Sequence, residues 1–517
     1  MTWKPELDEL KKRREMAAEM GGPDSVAFHH SRGKLTVRER IDKLGDKGSF
    51  EELGSLAGSG VYDNGKLVSF TPGNAVVGTV TLDGRRVMLN GGDFTVRGGA
   101  ADAAVGNKGA FVEKMALEWR MPYIRLLDAV GGSVRTFEQL GRTYIPDNPG
   151  TLLATQLLQA VPVVSAVMGS VAGLPAVWAC MAHFTLMVKK TSQVFVAGPP
   201  VVKAAFGQDI TKEELGSERI QAHESGIVNN VAEDEEDAFR IIKRFLSYLP
   251  PSVWEMPPRT EPVDDPERRD EELLSIIPRE DRKTYNAHEV LERVVDKDSI
   301  FEISPHYGKS RITAFARVNG YPVGAMINNP RFLGGAMDVA AGSKVSRFIE
   351  LCDLFHLPMV YLADEPGFLV GLKSEKQGIV RAGASIVATV VSSKMPWITV
   401  VIRQLYGVAG GLHLRPAGMF QRCAWPSSNW GSMHISGGAM AAYRREIQNA
   451  PDPKAKQEEI EKRLNDLGSP FRSAEAFNVE DIIDPRDTRP IVCRFVERAQ
   501  QIIKTQLGPS AGLAYRP

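Results

Sequence analysis

Two short stretches place glycines where backbone amides could do chemistry. "GSVAGLPA" (Gly169–Ala176) and "YGVAGGLH" (Tyr406–His413) each follow an apolar, β-branched run. A strand that ends in glycine and opens a helix can aim consecutive N–H groups at one point, where they hold an anion. An acyl oxyanion or a thioester enolate needs such donors. In the first stretch the candidates are Gly173 and Leu174, and in the second Gly410 and Gly411. The same glycines have a plainer use, which is to let a helix pack tightly on a strand. One copy does not separate the two readings; two copies in matching places favour chemistry.

Other candidates cluster at comparable points. Gly131-Gly132 in "LLDAVGGSVR" and Gly367 in "ADEPGFLVG" follow short apolar runs and either line a pocket or turn the chain. Asp128 and Asp364 are pocket acids or structural turn aspartates. Lys108 and Lys344 could reach a phosphate or lie at the surface near a helix start. His413 adjoins the second glycine loop. The chain has no HExxH, GxSxG or Walker loop and no His/Cys cluster with ligand spacing, so metal hydrolysis and nucleotide hydrolysis have no support.

These residues belong to a repeat. "GGAADAAVGNK" (Gly98–Lys108) returns as "GGAMDVAAGSK" (Gly334–Lys344), 236 residues later, with seven of eleven positions identical. At the same offset Gly84 meets Gly320, Pro122 meets Pro358 and Asp128 meets Asp364. Upstream, "DKGSFEEL" resembles "DKDSIFEI" at a slightly different offset. The order is preserved, so a whole domain is duplicated, not a solenoid unit of about 20–50 residues.

Each half must supply elements that place these loops. In the first, "NAVVGTVTLDGRRVMLNGGDF" alternates and turns at Asp83-Gly84, a hairpin signal. Phe111, Val112, Met115, Ala116 and Trp119 recur at helical spacing. "PYIRLLD" and "VPVVSAVMG" read as strands, and "TLLATQLLQA" as a helix. The second half repeats the plan: hairpin "ITAFARVNGYPVGAMINN", a helix face of Val345, Phe348, Ile349, Cys352 and Phe355, then strands "PMVYLAD" and "PWITVVIR". Alternating strand and helix predicts α/β domains with parallel, covered sheets, whose sites lie beyond the carboxyl ends of the strands. The expected divisions are an N-terminal helical extension over 1–30, a first domain over 31–250, a proline-rich charged linker over 251–283 and a second domain over 284–517. "APDPKAKQEEIEKRLNDL" reads as a solvated helix.

The bulk numbers narrow the class. The 517 residues suit two large domains, and 63 basic against 63 acidic side chains give no electrostatic case for nucleic acid or an anionic membrane. The four cysteines form no CxxC pair, which suits a reducing compartment. No apolar run reaches about 18 residues, and the charged N-terminus lacks a signal-peptide core, so a cytoplasmic protein without a membrane span is expected.

Taken together, "GKLTVRERIDKL", "DFTVRGGA", the Ala172-Gly173 loop, "TSQVFVAGPPVV", "ESGIVNN", "NNPRFLGGAMDVAAGSK", "DEPGFLVG" and "PRDTR" resemble the carboxyltransferase (β) subunit of biotin-dependent acyl-CoA carboxylases such as propionyl-CoA and methylcrotonyl-CoA carboxylase. The resemblance implies two tandem duplicated crotonase-like domains and a homohexamer built as a dimer of trimers. It also implies active sites formed between the N-domain of one subunit and the C-domain of another. One oxyanion pocket would serve the acyl-CoA enolate and the other biotin, as a carboxyl group moves from carboxybiotin to the α (or vinylogous) carbon of the acyl-CoA. It places CoA near Gly98, Gly99, Ala100, Gly131 and Gly132, with Lys108 or Arg97 toward the phosphates, and biotin near Gly367, Val408 and Ala409. Val408 and Ala409 then become an alternative donor pair to Gly410 and Gly411. No Ala-Met-Lys-Met-like site and no ATP-binding domain is present, so biotin must be carried by a biotin carboxylase/carboxyl carrier α subunit. No bound metal is implied. The departures are Leu174-Pro175 in the first loop, "DAVGGSVR" after the first paired strand, and "YGVAGGLH" in the second loop. Pro175 cannot donate. Alternatives are a biotin-dependent acyl-CoA decarboxylase subunit, a biotin-independent crotonase-type enzyme, and a non-catalytic structural subunit.

Overall fold

The structure, a computed structural model, describes residues 2–145, 150–280, 283–411 and 418–509. The chain divides into two compact units, the first running to Glu255 and the second from Met256. Each is an α/β unit on one principal sheet. In the first, seven strands lie side by side in the order Glu51–Leu53, Ala75–Leu82, Arg85–Gly92, Tyr123–Leu127, Val163–Val167, Phe184–Val188 and Asn230–Ala232. The second places Phe301–Glu302, Arg311–Val318, Tyr321–Asn328, Met359–Glu365, Trp397–Tyr406, Phe420–Ala424 and Asp481–Ile482 in the corresponding order, and Asn429–Gly431 pairs with Trp397–Tyr406 as an eighth strand.

Each sheet starts with an antiparallel hairpin and continues in parallel. The central strands are buried along their whole length, which is why they read as unbroken apolar runs instead of alternating ones. The hairpins turn at Asp83-Gly84 and Asn319-Gly320, all with positive φ. The duplicated "DK…S" segment explains itself here. Asp46 accepts from the amides of Asp83 and Gly84, each at 3.0 Å, and Asp296 accepts from Asn319 (3.1 Å) and Gly320 (2.8 Å). Ser49 and Ser299 accept from the strand amides of Thr81 (3.1 Å) and Arg317 (3.0 Å). The repeat preserves turn clamps as well as loops.

The expected crossover helices form as Lys108–Glu118 and Val339–Leu354. In the second, Val345, Phe348, Ile349, Cys352 and Phe355 are all buried. In the first, only Val112, Met115 and Ala116 face the sheet. Phe111 and Trp119 are more than half exposed, because they flank that stripe instead of extending it. Helices Lys4–Ala18 and Pro23–His30 form at the N-terminus and fall within the first unit, and the charged run is the helix Pro453–Leu467. Of the stretch expected as linker, residues from Met256 onward belong with the second unit. Leu273 enters its core, and the buried guanidinium of Arg489 donates to the carbonyls of Asp265 (2.8 Å) and Asp264 (3.3 Å).

Candidate active site: two strand-end turns

In the first unit three chain reversals meet at the carboxyl ends of the parallel strands. Arg97, Gly98 and Gly99 all have positive φ, and the segment after them docks on the next loop: Ala101 N donates to Gly131 O (2.8 Å) and Val130 N to Gly98 O (3.2 Å). Ala172 N then donates to Ala129 O (3.2 Å). Gly131 lies so close to Ala172 O that a side chain there would overlap it, which fixes glycine at that crossing. Gly98, Gly99, Ala100, Gly131, Gly132, Gly173 and Leu174 are therefore brought together.

The donors in this turn are unequal. Gly173 has φ 66° and ψ −134° and caps the helix Leu174–Cys180. Its own amide already donates to Val196 O at 3.0 Å. Pro175 has no proton, and the amides of Ala176 and Val177 return to Gly173 O (3.0 and 3.3 Å). Leu174 opens the helix, so no upstream intrahelical carbonyl exists to accept its N–H.

The second unit repeats the arrangement. Leu333, Gly334 and Gly335 have positive φ, Met337 N donates to Gly367 O (3.0 Å), and Leu369 N to Met337 O (2.9 Å). Strand Trp397–Tyr406 then runs into Gly407, whose φ of 64° matches that of Gly173, and the turn Gly407–Gly411 is helical. This geometry makes Gly407 the counterpart of Gly173, and Val408 the counterpart of Leu174. In a helix starting at Gly407 the amides of Gly410 and Gly411 point back toward Tyr406 and Gly407, four residues earlier. The amides of Val408 and Ala409 come too early in the turn to have an intrahelical acceptor. Gly367 lies beside this turn, its Cβ direction 3.7 Å from Tyr406 O. His413 lies outside the described residues.

The charged candidates have partners. Asp128 is fully buried and accepts from Lys34 (3.1 and 3.2 Å) and Arg40 (3.2 Å), and Arg40 also binds Glu235 twice at 2.8 Å. Asp364 accepts from Arg403 (2.8 to 3.1 Å), the Tyr285 hydroxyl (2.9 Å) and the Gln404 amide (3.1 Å). Burial, with Asp364 beside it, pushes the Tyr285 hydroxyl well up. Both aspartates are thus structural anchors under the loops. Lys108 donates to Ala75 O (2.8 Å). Lys344 donates to Arg311 O (2.8 Å), Ser304 O (2.8 Å) and Tyr307 O (3.1 Å), and burial brings it down to about 8. These lysines close the start of each crossover helix onto the first hairpin strand. Arg97 pairs with Asp102.

Sequence reasoning missed the partners Lys34, Arg40, Glu235, Tyr285 and Arg403, and a buried group formed by Arg311, Asn328, Tyr361 and Glu365. The available signal was charge at the ends of apolar strands, as in "YLADE" and "VVIRQ".

A match to the carboxyl transferase domain covers residues 28–506. The chain belongs to the carboxyl transferase family. It is 36% identical over 499 residues to the propionyl-CoA carboxylase carboxyltransferase subunit of Haloferax mediterranei, covering 95% of both chains. It is 33% identical to the methylmalonyl-CoA decarboxylase subunit alpha of Veillonella parvula, covering 91% of both. Among solved structures it superposes on transcarboxylase 12S, described as a hexamer and a multienzyme core with methylmalonyl-CoA bound, with a TM-score of 0.86, 31% identity and 97% coverage of each chain. The two units are tandem crotonase-like domains of this family. Among the described residues no three or more His, Cys, Asp or Glu side chains group as a metal site, and no helix is long and apolar enough to cross a membrane.

Proposed function

We infer that this carboxyl transferase family member is the carboxyltransferase subunit of an acyl-CoA carboxylase. It moves a carboxyl group between biotin and the carbon next to an acyl-CoA thioester. The observation that carries the assignment of roles is the pair of matched turns, each with a helix-opening amide that has no intrahelical acceptor, at the same strand end of two duplicated domains. Carboxyl transfer joins two partners, and each develops negative charge on an oxygen. One turn serves each.

The Leu174 amide, supported by the Gly98–Ala100 and Gly131-Gly132 loops, holds the thioester oxygen of the acyl-CoA. The Val408 and Ala409 amides, beside Gly367, hold the ureido oxygen of biotin; they replace Gly410 and Gly411 in that role because helical geometry turns the latter inward. Biotin, borne on a partner chain, supplies the carboxyl group and the nitrogen that takes up the α-proton. This chain's residues contribute placement and preorganised amide dipoles, a form of stabilisation in which one donor is worth about 2.7–4 kcal/mol in the transition state. No side-chain base is required of them. The working form is a homohexamer, as in the 12S core, with a biotin-carrying partner, and residues Gly98–Lys108 lie against bound CoA.

The similarity to a decarboxylase subunit favours a second direction for the same chemistry, from the carboxylated acyl-CoA to biotin. One assay addresses the whole reading. The chain is mixed with a biotin-carrying partner, ATP and bicarbonate, and a panel of acyl-CoAs is screened for fixed carbonate. Carboxylation of at least one short or branched acyl-CoA is the expected result. A folded, partner-bound hexamer inactive in both directions on the whole panel would refute it.

A further inference from the structure

The second pocket is built on a buried polar clamp that the first one lacks. Glu365 ends the strand Met359–Glu365 and is fully buried. One carboxylate oxygen accepts from the Gly367 amide at 3.1 Å. The other pairs with Arg311 and lies 3.5 Å from the Asn328 amide nitrogen. Asn328 donates to Gly335 O (3.1 Å), and its own oxygen accepts from the Tyr361 hydroxyl (2.7 Å) and the Asp364 amide (3.0 Å). Arg311 completes the ring by donating to the Tyr361 oxygen (2.6 Å). One connected group thus grips both the duplicated glycine turn, at Gly335, and the Gly367 loop.

At the 236-residue spacing of the repeat, Ala75 stands where Arg311 does, Gly92 for Asn328, Arg125 for Tyr361 and Ala129 for Glu365. Arg125 pairs with Glu113 on the crossover helix at 2.9 Å and touches neither loop. The first domain nevertheless keeps the equivalent backbone bond, Ala101 to Gly131, and ties its glycine turn differently, the Asn74 side-chain amide donating to Ala100 O at 2.7 Å. The Ala101–Gly131 bond therefore forms without a buried charge pair beneath it. A buried ion pair is also poor support for stability, since apolar replacements are often neutral or better. Its presence under one loop only is explained by what that loop must hold.

We propose that Glu365 is a positioning residue for the second pocket, fixing the Gly367 amide and with it the loop beside the Gly407 turn that receives biotin. The proposal rests on the assignment of that turn to biotin. The test compares two double variants of the full-length chain, Arg311→Met/Glu365→Gln and Arg311→Met/Glu365→Leu. Both remove the charge pair, and only the first keeps an acceptor for the Gly367 amide. Each is assayed in the reverse half-reaction with free biotin as acceptor and, as donor, the carboxylated form of the acyl-CoA selected by the screen. In that step the carboxyl carbon leaves the acyl α-carbon for a biotin nitrogen, and the nitrogen's proton ends on the α-carbon.

The Leu variant should show a KM for biotin about tenfold above that of the Gln variant, the scale of one lost hydrogen bond, with the donor KM unchanged. Equal biotin and donor KM values in the two variants would overturn the positioning role. A rise in the donor KM instead would keep the clamp and overturn the assignment of the pocket to biotin. Should the Leu variant fail to fold, amide exchange in the unsubstituted protein decides. Protection of Gly367 comparable to the adjoining strand is expected, and exchange at the rate of an open loop sinks the proposal.

Discussion

Asp128 and Asp364 occupy the same place in the repeat, and their cations reach them by different routes. In the first domain Lys34 and Arg40 come from the segment before the sheet, with Arg40 on the helix Val37–Leu44. In the second, Arg403 comes from the neighbouring strand, four residues before Gly407. Four residues before Gly173 stands Gly169, where a Cβ would overlap Asp128 and crowd Lys34. The position that carries the cation in one domain is emptied in the other so that a cation can enter from elsewhere. On the helix Ala287–Val294, which matches Val37–Leu44, the place of Arg40 is taken by the buried Val290. A buried carboxylate under a strand-end loop must be neutralised, since an unpaired charge there costs several kcal/mol. The duplication kept that requirement and left the donor free to move.

The largest expected effect breaks this comparison directly. Asp128→Ala and Asp364→Ala each strand buried cations and should cost about 3–5 kcal/mol. They should diverge with pH. Lys34 is already held below its usual value by burial, so in Asp128→Ala the folded state sheds that proton before the unfolded state does. Its stability then rises as pH climbs toward the unfolded lysine value. Arg403 cannot deprotonate, so Asp364→Ala should show no such recovery. Urea midpoints between neutral and mildly alkaline pH read both, and equal slopes would erase the distinction.

Next come the amides proposed as oxyanion donors. Leu174→Pro and Val408→Pro remove one amide each at the start of a helix, where proline is tolerated. Each should lower kcat by about a hundred- to a thousandfold, as for loss of an oxyanion donor. Leu174→Pro should suppress proton exchange at the acyl α-carbon, and Val408→Pro transfer to or from biotin. Equal loss of both half-reactions in each variant would contradict the division of labour between the domains.

Smaller effects separate the matched lysines. Lys344→Met breaks three bonds to buried carbonyls and should cost about 1–3 kcal/mol; Lys108→Met breaks one and should cost about 1 kcal/mol. If Lys108 is the anchor its contacts indicate, its variant keeps CoA affinity, which isothermal titration would show. A further pH effect belongs to the first domain. Burial holds His29 down at about 4 despite the nearby Asp128. The unfolded chain therefore takes up this proton first, and stability should fall as pH drops from about 6.5 toward 4. His29→Gln should flatten that slope in thermal-melt midpoints.

Much of this molecule was legible in the residue string. The repeat "GGAxDxAxGxK" disclosed two domains, and the two glycine-rich strand ends located the turns, because a positive-φ backbone restricts residue type and so leaves a mark in sequence. Apolar runs of strand length gave the central sheets for a similar reason. The donors within the second turn were not legible. "GVAGG" offers several amides, and only the helical start at Gly407 shows which of them lack an acceptor within the turn. Nor could the string say why its lysines and aspartates recur, since a lysine capping carbonyls and one reaching a phosphate are the same letter. The clamp around Glu365 was hidden most completely. Its four residues come from three strands, Arg311–Val318, Tyr321–Asn328 and Met359–Glu365, and each alone reads as an ordinary strand residue. What the sequence determined by itself was the kind and order of local structure, which short-range sterics and periodic burial dictate. The partners of buried charge were decided only in the tertiary structure, because desolvation demands that a charge be met without specifying from which segment its partner comes.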